Sequence, residues 1–153
     1  MHDTMRITTH EDIDYLAPRL READKQECLA TTGQMPIDVL HSALLLGDMT
    51  LTLTTPEGKR VGLCGVTPSP YTNAGVVWMC ATDELLKHQM AFLRRSKAAL
   101  DYLSSDYDVL HNCVDARNEV HIKWLKWMGF TFINKHENYG VEQRPFYEFI
   151  RIK

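Results

Sequence analysis

Apolar residues recur along the chain with two different periods, and the changes of period mark its elements. Residues 5–8 alternate as a short strand, and residues 11–24 carry Ile13, Leu16 and Leu20 at helical spacing. Gly33 and Pro36 interrupt the helical signal, and a second helix over residues 37–46 stops at Gly47. Residues 49–54 form a strand that turns through Pro56, Glu57, Gly58 and Lys59 into a partner strand ending at Val66, so the two make a hairpin. After a loop over residues 67–74, residues 75–81 are almost wholly apolar, as expected of a strand covered on both faces in mid-sheet. A helix follows from about residue 84 to residue 103. Val109, Leu110, Cys113 and Val114 supply a further buried strand. Asn118 stands where it can cap the next helix, in which Ile122, Leu125 and Met128 share a face, and Gly129 ends it before two last strands. The resulting order, β-α-α-β-β-β-α-β-α-β-β, predicts one α/β (α+β) domain over residues 1–153.

Composition narrows the functional classes. With 153 residues and 44% hydrophobic content the chain can bury one sizeable core. A net charge of -3 and a pI near 6.1 lack the clustered basic excess that nucleic-acid binding needs. Cys28, Cys64, Cys80 and Cys113 form no C-x-x-C pair, and three of them sit in apolar runs, which fits small hydrophobes in a reducing cytosol and predicts no metal. The first residues are acidic where a signal peptide is basic and apolar, and no apolar run reaches membrane-spanning length. A soluble protein of the cytoplasm is expected, bound to neither nucleic acid nor membrane.

The segment over residues 107–130 is the most specific. A strand runs into an Asn-led helix, and Asn118 precedes Gly129 of a Gly-Phe pair by eleven residues. This resembles the last block of the GNAT acyltransferase superfamily. Asn118, His121, Ile122, Lys123, Trp124, Leu125 and Gly129 further resemble a pattern of the GNAT-like internal virion protein A group of short-tailed phages. Arg21, Asp24, Glu27 and Gly33, the Trp78 to Thr82 strand end, Phe92 to Arg94 and the tail from Tyr139 to Phe146 agree with that group. The resemblance implies a GNAT-type fold with a mixed central sheet, splayed between the strand ending near Ala81 and the strand beginning near Asp108. It also implies acetyl-CoA as the cofactor, with Trp78, Met79, Cys80, Ala81 and Thr82 along the pantetheine arm and Asn118 helping to hold it. Asp24 or Glu27 would act as base and His121 as acid, while Arg21, Tyr139 and Arg144 would face the substrate or a protein partner.

Two departures from the GNAT pattern bear on activity. The enzymes cradle the coenzyme A pyrophosphate on a glycine-rich turn at a helix start, where backbone N–H groups and the helix dipole attract anions. Residues 82–88 contain no glycine, and Asp83 and Glu84 place carboxylates there, which predicts weak or absent acetyl-CoA binding. The position seven residues after Asn118, where many of these enzymes carry a proton-donating Tyr, is Leu125. His121, Tyr107 and Tyr139 are the remaining candidates. Trp124 and Trp127 read as core or interface anchors. Arg21, Asp24 and Glu27 would share one polar face of a continuous helix, and the plain reading of such a face is an exposed i, i+3 charge pair. Three functions therefore stand: a phage protein that uses a GNAT scaffold in virion assembly with faded chemistry, an acetyl-CoA-dependent N-acetyltransferase of a small amine or protein amine, and an inhibitor of a host protein. The expected partner is a phage or host protein, and the expected location is the host cytoplasm or the virion. The sequence leaves the oligomeric state open.

Overall fold

A computed structural model describes residues 4–47 and 49–153. Its strands are β1 (Met5–Ile7), β2 (Met49–Thr54), β3 (Arg60–Pro68), β4 (Ala74–Ala81), β5 (Val109–Asp115), β6 (Thr131–Tyr139) and β7 (Arg144–Ile152). They form one seven-stranded sheet in the order β1-β2-β3-β4-β5-β7-β6. Every pairing is antiparallel except β4 with β5. Six helices cover the sheet: α1 (His10–Leu16), α2 (Glu22–Thr32), α3 (Pro36–Leu46), α4 (Asp83–Lys87), α5 (Gln89–Leu103) and α6 (Glu119–Trp127).

Burial explains why β3 and β4 lack strand-like alternation. Leu63 and Cys80 pack with Ile13, Leu16 and Leu40 from α1 and α3. On the opposite face Leu51, Val66 and Leu110 pack with Leu100, Trp124 and Leu125 from α5 and α6. A strand covered by helices on both sides must be apolar at successive positions.

Two helices differ from the sequence expectation. The helix foreseen over residues 11–24 stops at Leu16; Pro18 lies in a 3-10 turn, Ala17–Arg19, and Leu20 leaves it extended at φ -63°, ψ 152°. Proline cannot donate the N–H that a continuing helix requires. The break lays Leu20 against Thr82 as an isolated antiparallel bridge before α2 begins. The helix foreseen over residues 84–103 divides at His88, φ -115°, ψ 17°, with no Gly or Pro to announce it. The joint lets Leu85 of α4 and the Ala99, Leu100 and Leu103 face of α5 each reach the core.

The parallel pair β4 and β5 meets only at Ala74–Val109, Gly75–Leu110 and Val76–His111. Beyond Val76 the two strands diverge, as expected of a GNAT-type sheet, and β5 continues along β7. Asn112 spans the opening by donating its Nδ2 hydrogen to Val77 O at 2.9 Å.

Candidate functional site: a buried polar cluster across the splay

The open edge of β4 meets the start of α2. The Arg21 N–H donates to Ala81 O at 2.8 Å, and the Ala81 N–H donates to Asp24 Oδ2 at 2.9 Å. Strand peptides alternate in direction, so Val77, Met79 and Ala81 present their peptide groups to the same gap. Its two ends are thus held by Asn112 and by the start of α2.

Arg21, Asp24 and Asn118 are buried and mutually bonded, not the exposed charge pair expected of one helical face. Asp24 Oδ1 accepts from Asn118 Nδ2 at 2.9 Å, and Arg21 Nη1 reaches both Asp24 oxygens at 3.3 Å. Asn118 Oδ1 accepts from Nη1 and Nη2 of Arg21, each at 3.3 Å. Glu27 Oε1 accepts from the Asp115 N–H at 2.8 Å and from Asn118 Nδ2 at 3.4 Å. Asn118 therefore spends its amide on this cluster and makes no side-chain cap to α6, correcting the capping role foreseen from sequence. Burial without a full charge partner pushes the Glu27 carboxyl up to about 8, although the bonds from Asp115 and Asn118 oppose it; the neighbouring Asp24 adds to the rise. At neutral pH Glu27 is mostly a neutral acid.

A cavity of about 300 Å³ passes through the splay. Glu27, Cys28 and Trp78 border it on the α2 side, and Phe92, His121 and Leu125 on the other. Trp78 Nε1 is buried with no hydrogen-bond partner and is the single such side-chain atom among the described residues. His121 lies edge-on to Trp124, and its burial lowers its pKa and favours the uncharged ring. Tyr139 borders the cavity too, and burial pushes its hydroxyl up to about 12.

The remaining sequence candidates divide. Trp78 and Cys80 belong to the α1–α3 face, Met79 and Ala81 to the α5–α6 face. The Thr82 hydroxyl donates to Val61 O at 3.0 Å, and no side chain caps α4. Glu84 faces Lys87 at 3.3 Å and Lys59 and His88 at 3.7 Å. Tyr107 packs beside Gly75 at the far end of β4. Arg144 is exposed and pairs with Glu142 at 2.7 Å. Trp124 is core, whereas Trp127 is 54% exposed. Sequence reasoning missed the Asn112 bridge and the contact between the Cys28 and Cys80 thiols, neither of which has a local motif.

The sheet with its splay has close counterparts among solved structures. A GNAT-family acetyltransferase from Streptococcus pneumoniae superposes with a TM-score of 0.64 at 17% identity, covering 97% of this chain and 98% of that one. The fold is that of the GNAT acetyltransferases. Ard1 from Thermoplasma volcanium gives 0.69 at 19% identity, covering 97% and 96%. The structure of yncA from Salmonella typhimurium with its cofactor acetyl-CoA gives 0.72 at 13% identity, covering 97% and 92%. The family model for the bacteriophage T7 probable scaffold protein Gp13 matches residues 71–137. That span holds β4, α4, α5, β5 and α6, with Asn118 and His121, and leaves out Arg21, Asp24 and Glu27. No curated protein sequence matches the chain. Among the described residues no helix is long and apolar enough to cross a membrane.

Proposed function

We propose that the chain is a phage GNAT-fold protein that works in virion assembly, as an internal virion or morphogenesis protein, with acyltransferase chemistry weak or lost. The observation that carries this reading is the engagement of Ala81: its N–H by Asp24 and its C=O by Arg21, on the strand edge where the resemblance places the pantetheine arm. Acetyl-CoA does not fit these residues. Its amides would have to displace a buried carboxylate that also accepts from Asn118 and Arg21, leaving charged groups unpaired. At the phosphate end no glycine permits close approach, and Asp83 and Glu84 oppose a polyanion. Leu125 offers no proton to a leaving group. The match of residues 71–137 to a phage scaffold family supports assembly as the use to which such a scaffold is put. A phage or host protein is the expected partner, met in the host cytoplasm or in the virion.

The competing reading, an acetyl-CoA-dependent N-acetyltransferase, draws on one specific feature: a cavity through the splay bordered by Glu27, whose raised pKa suits it to accept a proton from an amine near pH 8. Complementation separates the two. Phage lacking this chain should yield fewer intact particles, and Glu27→Gln should restore the yield as well as wild type does. A folded Glu27→Gln protein that fails to restore it favours the enzyme.

A further inference from the structure

Cys113, Glu148 and His136 stand on three neighbouring strands. Cys113 of β5 and Glu148 of β7 are direct cross-strand partners. Glu148 pairs on β6 with Asn134, and His136 lies two residues farther on, so it shares that face as a diagonal neighbour. Two irregularities in β6, between Phe132 and Asn134 and between His136 and Tyr139, bracket this segment. One donor atom from each of the three side chains lies within 4.8 Å of the other two, and all three residues are half-buried. His136 Nε2 is 2.7 Å from Glu148 Oε1. The Tyr139 hydroxyl lies beside the Cys113 thiol, and both border the cavity.

We propose that Cys113, His136 and Glu148 bind a divalent transition-metal ion of the zinc class. Thiolate, imidazole and carboxylate together are a borderline-soft donor set, which favours zinc over magnesium or calcium. A tetrahedral zinc ion with bonds of roughly 2.0 to 2.3 Å holds its donors about 3.3 to 3.6 Å apart. The trio therefore closes around an ion by small side-chain rotations, with the His136–Glu148 hydrogen bond opening to admit it. The Cys113 thiol gives up its proton to solvent on binding, and the thiolate and carboxylate together balance the dipositive ion. Three protein donors leave the fourth position to water or another incoming donor, beside Tyr139.

Such an ion would fasten β6 and β7 to β5. The turn joining β6 to β7 docks on α2, where the Val141 N–H donates to Thr31 O at 3.3 Å and the Glu142 N–H donates to Ala30 O at 3.2 Å. The clip would thus act on the helix that carries Asp24 and Glu27. The site requires no coenzyme A and is independent of the assembly reading.

The test is titration of the chelator-stripped full chain with Co²⁺, followed by displacement with Zn²⁺. One Co²⁺ per chain should bind, with a thiolate-to-cobalt charge-transfer band that Zn²⁺ removes. Cys113→Ser should abolish the band, while Cys28→Ser retains it. His136→Gln and Glu148→Gln should each weaken binding at least tenfold, since even outer partners of metal ligands are worth 10- to 100-fold. Thermal melts of the variants confirm folding, and if Cys113→Ser does not fold the other two decide. Absence of saturable binding, a band that survives Cys113→Ser, or wild-type affinity in both His136→Gln and Glu148→Gln overturns the proposal.

Discussion

The Asn118 side-chain nitrogen donates to Asp24 Oδ1 at 2.9 Å, tying the start of α6 to the first turn of α2 across 94 positions of chain. Both residues are buried, and Arg21 bonds to each. Asp24→Ala should destabilise the protein by about 3 to 5 kcal/mol, because it leaves the buried Arg21 guanidinium without its carboxylate and the Ala81 N–H without an acceptor. Asn118→Ala should cost about 1 to 3 kcal/mol. Urea denaturation measures both, and a near-silent Asp24→Ala would mean that the cluster does not hold the splay together.

Glu27 should give stability a distinctive pH dependence. Its folded pKa of about 8 stands above the ordinary 4.5, so between those values the folded protein keeps a proton that the unfolded chain has released. Stability therefore falls as pH rises through this window, by up to about 1.36 kcal/mol per pH unit from this group. His121, lowered from 6.5 by burial, acts in the opposite sense below that value, and is common to both proteins in a comparison with Glu27→Gln. Melting temperatures of wild type and Glu27→Gln should diverge in favour of the variant from pH 5 to pH 8.5; a constant gap would mean that Glu27 is ordinarily solvated.

The two tryptophans of α6 should separate clearly. Trp124, packed against Phe92 with ring centroids 5.2 Å apart, should cost about 3 to 5 kcal/mol when changed to Ala. Trp127 is half-exposed and donates to Leu93 O at 3.2 Å, so Trp127→Ala should cost about 1 kcal/mol or less. Equal losses in denaturation experiments would refute this division of core and surface.

Much of the fold was legible because its signals are local. The apolar run over residues 75–81 marked β4 as central, Gly129 marked the end of α6, and the spacing from Asn118 to Gly129 pointed to the splay beside it. The site was legible in its residue names but not in its arrangement. Asp24 and Glu27 read as solvated charges because the partners that bury them, Asn118 and the Asp115 N–H, lie 94 and 88 positions away. Asn118 read as a helix cap because its local position allows one, and only tertiary packing redirects its amide. Pro18 could have announced the break before α2, whereas His88 carries no breaker chemistry at all. Cysteine spacing is likewise blind to a donor trio assembled across three strands.

Replacing Asp83 with Gly and Glu84 with Ser tests the phosphate end alone. Removing the Asp83 carboxylate should relieve about 0.3 to 1 kcal/mol at the start of α4, and removing Glu84 should add little, because it already faces Lys59 and Lys87. Acetyl-CoA affinity should rise by at most about tenfold in calorimetry, because Asp24 still holds the β4 edge. A rise to micromolar affinity would locate the obstacle at the phosphate end instead.

Calorimetric titration of the wild-type protein with acetyl-CoA at physiological salt asks whether Asp24 and Arg21, by holding Ala81, deny the β4 edge to the cofactor. No saturable binding is expected up to about 1 mM ligand; a dissociation constant of about 1 μM, near -8 kcal/mol, would overturn the assembly reading and make the N-acetyltransferase the better description.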